Sequence, residues 1–266
     1  MNNQLKISHL RVPYRKSNDI FDIINLKYKD PLLLFKSWFE EAIECENVFE
    51  PNAMALATCS KQCIPSVRFV LLKELDENGF HFFTNYNSRK AQELDSNPHA
   101  SLVFYWEPLK RQVRVEGVVS RASEEENEEY FQSRPKASQI SATVSSQSEP
   151  IPCREFLDKK YVELENEYAA REKLPKPSNW LFVVMISQLC GITNFMSSLL
   201  INQVMTAKKT QGGYILSPKS IEFWQGQTNR LHDRIRFRRC DQIPEINGSD
   251  LVHVGENGWV YERLAP

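Results

Sequence analysis

Between Met54 and Arg121, five runs rich in β-branched and aromatic residues follow in quick succession: Met54–Cys59, Ser66–Lys73, Phe80–Thr84, Ala100–Trp106 and Gln112–Arg121. Such runs predict strands. Their spacing leaves room for turns and one short helix, Ser88–Leu94, rather than for the regular strand–helix alternation of a doubly wound sheet. Further strands are predicted at Tyr214–Leu216, Ser220–Gln225, Arg234–Arg238 and Trp259–Arg263. Asp30-Pro31, an N-cap followed by proline at the first helical position, opens an amphipathic helix over Leu33–Cys45. Glu124–Ser133, Pro135–Val144 and Arg154–Lys173 read as helices, the last ended by Pro175 and Pro177. The expected class is mainly β with α additions, a β-barrel carrying helices. Residues 1–30 are polar and irregular and are predicted to form a flexible arm, with 31–266 as the folded domain.

Composition narrows the partners more than the fold. At 266 residues the chain can bury a sizeable core, and a formal net charge of −1 offers no global field for nucleic acid or an anionic membrane. Any anion site has to be built locally. Neither GxGxxG nor GxxxxGK[ST] occurs, so a phosphate must be held by side chains rather than by a Gly-rich loop. The six cysteines (45, 59, 63, 153, 190 and 240) show no paired CxxC spacing and read as free thiols in a reducing compartment, with no metal site expected. The first residues lack the apolar core of a secretory signal, which makes the cytoplasm the expected location.

Three groups carry chemistry. From Phe223 to Arg234 the chain reads Phe-Trp-Gln-Gly-Gln-Thr-Asn-Arg-Leu-His-Asp-Arg, and Ile235-Arg236-Phe237-Arg238 then alternates like a strand with one buried face. Its arginines offer donor forks, His232 can exchange a proton near neutral pH and Trp224 presents a flat face, a set suited to an anionic aromatic ligand. Arg68, Lys73, Thr84, Arg89 and Lys90 form a second group. Odd spacing on a regular strand would put Arg68 and Lys73 on opposite faces, unless a bulge brings them together. Ser88-Arg89-Lys90 at a helix start suits a phosphate cradle, a solvated basic surface being the plainer alternative. In the third group, Tyr130, Arg134 and Ser138 are spaced by four and would align on one continuous helix. Pro135 starts a new helix instead, yet a helix–helix corner could still converge them into a phosphate clamp. The alternative there is a core tyrosine and an exposed arginine. The acidic run 124–129 reads as a solvated helix N-terminus, and His9, His81, His99 and His253 as structural or surface residues.

Taken in order, several motifs are specific. They are Arg68-Phe69-Val70-Leu71-Leu72-Lys73, Phe82-Phe83-Thr84-Asn85-Tyr86-x-Ser88-Arg89-Lys90, Phe104-Tyr105-Trp106-Glu107-Pro108 and Arg111-Gln112-Val113-Arg114-Val115-Glu116-Gly117. Ser133-Arg134-Pro135, Ser138-Gln139-Ile140, the 223–234 stretch and the terminal Tyr261-Glu262-Arg263-Leu264-Ala265-Pro266 follow. Over residues 31–180 and 212–266 the chain resembles the pyridoxine-5′-phosphate oxidase (pyridoxamine-phosphate oxidase) family. The resemblance implies an FMN-binding split β-barrel, a homodimer with FMN at each subunit interface. It also implies oxidation of pyridoxine or pyridoxamine 5′-phosphate to pyridoxal 5′-phosphate, with O2 as acceptor and H2O2 released. By motif position it implies FMN contacts from Arg68, Phe69, Val70, Leu71, Phe83, Thr84, Arg89, Lys90, Gln112, Gln147, Ser148, Trp224 and Arg234. Lys73, Tyr130, Arg134 and Ser138 correspond to a substrate-phosphate clamp. Arg230, Leu231 and His232 lie over the reacting end of the pyridine, with Arg230 and His232 as catalytic candidates and His232 a candidate proton acceptor. Arg11 and Tyr14 are similar to an N-terminal pair that closes over the substrate.

One segment departs from the family, in which Pro-x-Pro-x-x-Trp runs straight into Gly-Gly-Tyr. Here Leu181–Gln211 separates Trp180 from Gly212, and residues 181–205 carry no charge. A membrane span of that length would put the 223–234 stretch across a bilayer from the other site residues, which one barrel cannot accommodate. That leaves a surface insertion or translated non-coding sequence, and the clean interruption of a motif favours the second. A non-catalytic FMN or pyridoxal-phosphate binding protein, disabled by this segment, is the alternative function.

Overall fold

Asp30 begins the first helix in the way its neighbours require. In the computed structural model, which describes residues 20–171, 174–176, 211–228, 230–240 and 251–266, helix α1 spans Pro31–Glu44. The Asp30 carboxylate accepts from the Leu32 N–H at 2.7 Å, and Pro31 removes a first-turn N–H that would otherwise lack a partner. The remaining helices are α2 (Arg89–Ser96), α3 (Glu124–Ser133), α4 (Lys136–Val144) and α5 (Arg154–Glu167). The strands are β1 (Ala53–Cys59), β2 (Pro65–Leu71), β3 (Glu74–Leu75), β4 (Phe80–Asn85), β5 (His99–Trp106), β6 (Arg111–Arg121), β7 (Gln211–Gln225), β8 (Asp233–Arg239), β9 (Val252–Val254) and β10 (Trp259–Arg263). Hydrogen-bonded neighbours follow the order β2-β1-β5-β6-β7-β8-β10-β9, with β4 paired to β3 and β7. The class is mainly β with α additions, as expected. No helix among the described residues is long and apolar enough to cross a membrane.

The chain divides into two units. The first takes residues up to Leu56, Ser101–Gly117 and Pro218–Pro266. Helix α1 buries Leu34, Phe35, Trp38 and Ala42 there; Phe35 meets Phe104 edge-on at 4.9 Å, and Trp38 meets Phe223 at 5.2 Å. In the β7–β8 ladder Ile221 faces Phe237 and Phe223 faces Ile235, all fully buried. The period-2 alternation then places Glu222, Trp224, Arg234 and Arg236 on the opposite face. The end of the predicted arm is anchored in this unit. Phe21 packs on Trp38 at 4.9 Å, and its N–H and C=O are held by Asp233 and Arg263. Arg11 and Tyr14 lie outside the described residues.

The second unit takes Ala57–Ala100 and Val118–Ser217. Its helices close over Phe131, Ile140, Ala142, Tyr168 and Leu174. Helix α5 ends at Glu167, short of the predicted Lys173, for a tertiary reason. Tyr168 turns into that core, and the Lys136 ammonium takes the carbonyls of Tyr168, Ala169 and Arg171 that a continuing helix would have used. The two strands predicted at Tyr214–Leu216 and Ser220–Gln225 are one strand, β7. Its partner changes from β4, paired through Leu216, to β8, paired from Ser220, so Pro218 sits where neither ladder needs its missing N–H. Of the segment predicted to interrupt the family pattern, residues 181–210 lie outside the described residues.

The start of β7 is clamped. Tyr86 Oη donates to the Gly213 carbonyl at 3.0 Å, and the Gly213 N–H donates to Asn127 Oδ1 at 2.5 Å. The Tyr86 ring is buried and carries the Arg121 guanidinium 4.4 Å above it. A Cβ on Gly212 would lie 2.1 Å from Tyr86 Oη, and the ring has nowhere to go. Gly212→Ala should therefore cost about 1–3 kcal/mol through overpacking, read as a lowered midpoint in urea unfolding; an unchanged midpoint would mean that Tyr86 is not fixed.

Candidate functional site

In the second unit a cavity of about 810 Å³ collects most of the candidate residues. Helix α2 begins at its edge and presents Lys90, which is only 8 % exposed. Its ammonium donates to Gln147 Oε1 at 2.8 Å, Thr84 Oγ1 at 3.0 Å and Ser88 Oγ at 3.3 Å, all uncharged acceptors. Ser88 is the N-cap by conformation, but its hydroxyl serves Lys90 rather than the helix. Burial, and secondarily the charge of Arg68, pushes the Lys90 pKa down to about 8. A buried cation surrounded by neutral dipoles gains most from an incoming anion.

Arg68, Phe69, Val70 and Leu71 line the same cavity from β2. The strand ends at Leu71, so the parity that would set Arg68 and Lys73 on opposite faces does not extend to Lys73, and both line the cavity. Arg68 donates to Thr58 Oγ1 and Ser66 Oγ, each at 2.5 Å. Arg89 does not line the cavity. Its Nε bonds Glu93 at 2.8 Å, and its backbone N–H reaches Ser148 Oγ at 3.4 Å.

Lys73, Tyr130, Arg134 and Ser138 all line the cavity, the last three brought there from the two sides of a helix–helix corner. Arg134 is the C-cap of α3 and Pro135 the N-cap of α4, so two helices meet at that dipeptide. Tyr130 stacks on Phe83 with centroids 3.7 Å apart, and the Arg134 guanidinium lies 5.9 Å from its ring. Burial raises the Tyr130 pKa, which keeps the phenol a hydrogen-bond donor. The acidic run is less free than expected: Lys176, a further cavity residue, pairs with Glu124, and its Nζ is 3.8 Å from Glu128. Sequence reasoning also missed Glu93, whose one local signal is its i,i+4 spacing from Arg89.

The other candidates belong to the first unit. Trp224 and Arg234 are directly opposed on the β7–β8 ladder. Arg234 is fixed on both sides, Nε to Glu222 at 2.8 Å and Nη1 to the Ala265 carbonyl at 2.8 Å. The buried Glu222 also takes Arg114 at 2.9 Å, and Gln112 lies two residues before Arg114 on the same face of β6. In the hairpin loop Arg230 has φ 63°, a left-handed turn, and Arg230 and Leu231 are exposed. His232 packs 4.8 Å from Trp224, and its Nδ1 accepts the Gln227 N–H at 3.0 Å. Burial and then Arg230 lower the His232 pKa, with Asp233 opposing them, so the ring is neutral at pH 7. A neutral imidazole that accepts at Nδ1 carries its proton on Nε2.

Known proteins resemble this chain over most of its length. The family model described as pyridoxamine 5′-phosphate oxidase matches residues 39–167, and the one described as the pyridoxine 5′-phosphate oxidase C-terminal dimerisation region matches 212–266. Pyridoxine-5′-phosphate oxidase of Bos taurus is 50 % identical over 262 residues, 98 % of this chain and 88 % of that protein. The pyridoxine/pyridoxamine 5′-phosphate oxidase of Bombyx mori is 42 % identical over 266 residues, 100 % of this chain and 91 % of that one. Among solved structures, PhzG from Burkholderia lata 383, crystallised with tetrahydrophenazine-1-carboxylic acid, superposes with TM-score 0.70 at 26 % identity, covering 94 % of this chain and 98 % of that one. The chain has the split-barrel fold that its motifs imply, and it belongs to the pyridoxine/pyridoxamine 5′-phosphate oxidase family.

Proposed function

We propose that this chain oxidises pyridoxine 5′-phosphate and pyridoxamine 5′-phosphate to pyridoxal 5′-phosphate. FMN is the cofactor, O2 the acceptor and H2O2 the by-product, and the enzyme works as a cytoplasmic homodimer with FMN at the subunit interface. One observation carries the reading: two separate sets of cationic and hydroxyl side chains suited to phosphate, Arg68 with Lys90 and Lys73 with Tyr130, Arg134 and Ser138, line a single cavity. A pure flavin binder needs one such set, which disfavours the non-catalytic alternative.

The residues fit FMN. Lys90, buried among uncharged acceptors, and Arg68 suit its phosphate, with Arg89, Thr84, Gln147 and Ser148 around them. Phe69, Val70, Leu71 and Phe83 supply apolar contact in the cavity, and Gln112, Trp224 and Arg234 are assigned to the cofactor by motif position alone. When bound, FMN supplies the hydride acceptor for the substrate's C4′ carbon and the route of electrons to O2. The protein supplies alignment. Lys73, Tyr130, Arg134 and Ser138 fix the substrate phosphate, which sets where C4′ falls. Arg230, Leu231 and His232 hold the reacting end. In its neutral tautomer His232 donates from Nε2, so it holds the substrate's oxygen or nitrogen in place rather than taking its proton.

Purified protein should show a flavin spectrum and form peroxide and aldehyde when pyridoxine phosphate is added under air. Bound flavin without peroxide would favour the binder. Arg230→Ala should lower kcat/KM by about 10²-fold, the scale of a lost charge-assisted contact, while leaving FMN in place. Arg234→Ala should instead release FMN, and equal FMN loss in both variants contradicts the division of labour. The depressed Lys90 pKa gives a pH signature with a definite sign. The ammonium is mostly charged at pH 7, half charged near pH 8 and mostly neutral at pH 9, while the FMN phosphate is already doubly ionised. FMN affinity should therefore fall about tenfold between pH 7 and pH 9, a slope that Lys90→Met should flatten in fluorescence titrations.

A further inference from the structure

Helix α2 carries one buried group that none of the steps above uses. Glu93 is 6 % exposed and accepts four hydrogen bonds. Its Oε2 takes Thr58 Oγ1 and Ser66 Oγ, each at 2.5 Å, and Arg68 Nη2 at 3.4 Å, while Oε1 takes Arg89 Nε at 2.8 Å. Each hydroxyl owns a single proton. With that proton given to Glu93, the hydroxyl lone pairs are left to Arg68, whose Nη1 and Nη2 reach Thr58 and Ser66. The carboxylate thus acts through two hydroxyls, and by a longer direct contact, to set the plane of the Arg68 guanidinium, and it bonds Arg89 directly.

Folding alone gives little reason for this arrangement, because desolvating a carboxylate costs several kcal/mol that an apolar side chain would not incur. We propose that Glu93 is a positioning residue for the cofactor's phosphate, holding Arg68 and Arg89 in the orientation that receives it and supplying their counter-charge in the absence of ligand. This rests on the phosphate reading of the Arg68–Lys90 group given above. Burial alone would raise the Glu93 pKa, but the bonds from Ser66, Thr58 and Arg89 outweigh it and hold the carboxyl at about 2, so the counter-charge is permanent at physiological pH.

The test compares two ligands that differ only in the phosphate. Dissociation constants for FMN and riboflavin are measured by flavin fluorescence on apoprotein of the wild type, Glu93→Ala, Glu93→Gln and Lys90→Ala. Glu93→Ala should weaken FMN at least about tenfold and leave riboflavin unchanged, and Glu93→Gln, which keeps an acceptor oxygen, should fall between. Equal weakening of both ligands would make Glu93 a merely structural residue, and unchanged or tighter FMN binding would also overturn the proposal. If Lys90→Ala abolishes the preference for FMN while Glu93→Ala keeps it, the Glu93 role alone fails. No preference for FMN in the wild type would sink the phosphate reading beneath it. Should Glu93→Ala not fold, the Thr58→Val/Ser66→Ala double variant cuts the relay to Arg68 with the carboxylate intact, and the same ratio decides.

Discussion

A buried ammonium with only uncharged acceptors around it is an incomplete electrostatic structure, and much of this fold serves to hold one in place. Lys90 is drawn inward by Thr84 on β4, Ser88 at the start of α2 and Gln147 after α4. Ser88 and Thr84 lie within six residues of Lys90, so only Gln147, 57 residues away, has to be brought in from a distance to complete the set. Neutral dipoles stabilise the charge without cancelling it, which is what a site for a dianion requires. Glu93 plays the opposite part for Arg68 and Arg89, where one shared carboxylate fixes geometry and offsets part of their charge. The two devices lie three residues apart on one short helix.

The proposed substrate clamp solves a different problem. Its members come from the loop after β2 and from both sides of the α3–α4 corner, and Tyr130 is held by stacking on Phe83. Rings in face contact restrict each other's rotation, so the phenol's position depends on a residue assigned to the cofactor side. The two halves of the cavity are thereby joined by packing as well as by sharing one space.

What could be read in the sequence was local or periodic. Asp30-Pro31 declares its helix within one turn, and the alternation at Ile235–Arg238 declares a buried face and a polar one. The candidate phosphate residues were legible because their order along the chain resembles a known family, although Arg68 and Lys73 were separated by a parity rule that fails once β2 stops at Leu71. The ends of elements set by distant partners stayed hidden: α5 stops where Lys136 and the core around Tyr168 claim its carbonyls and its side chain. Glu93 stayed hidden for the same reason, since its hydroxyl donors lie 27 and 35 residues away.

Strand β7 joins the clamp at Gly213 to the loop bearing Arg230 and His232 without a break. Because side chains alternate along a strand, a slip of one residue anywhere after Gly213 would turn Trp224 toward the core and Phe223 toward the ligand face. Tyr86 and Asn127 thus act as a registration mark, and the chain on either side of it has unequal freedom to change length. Residues gained or lost upstream of Gly212 leave the counting of β7 intact, whereas a single insertion between Tyr214 and Gln225 inverts it. Over evolutionary time, length variation in a protein built this way should accumulate before the glycine pair and be purged after it.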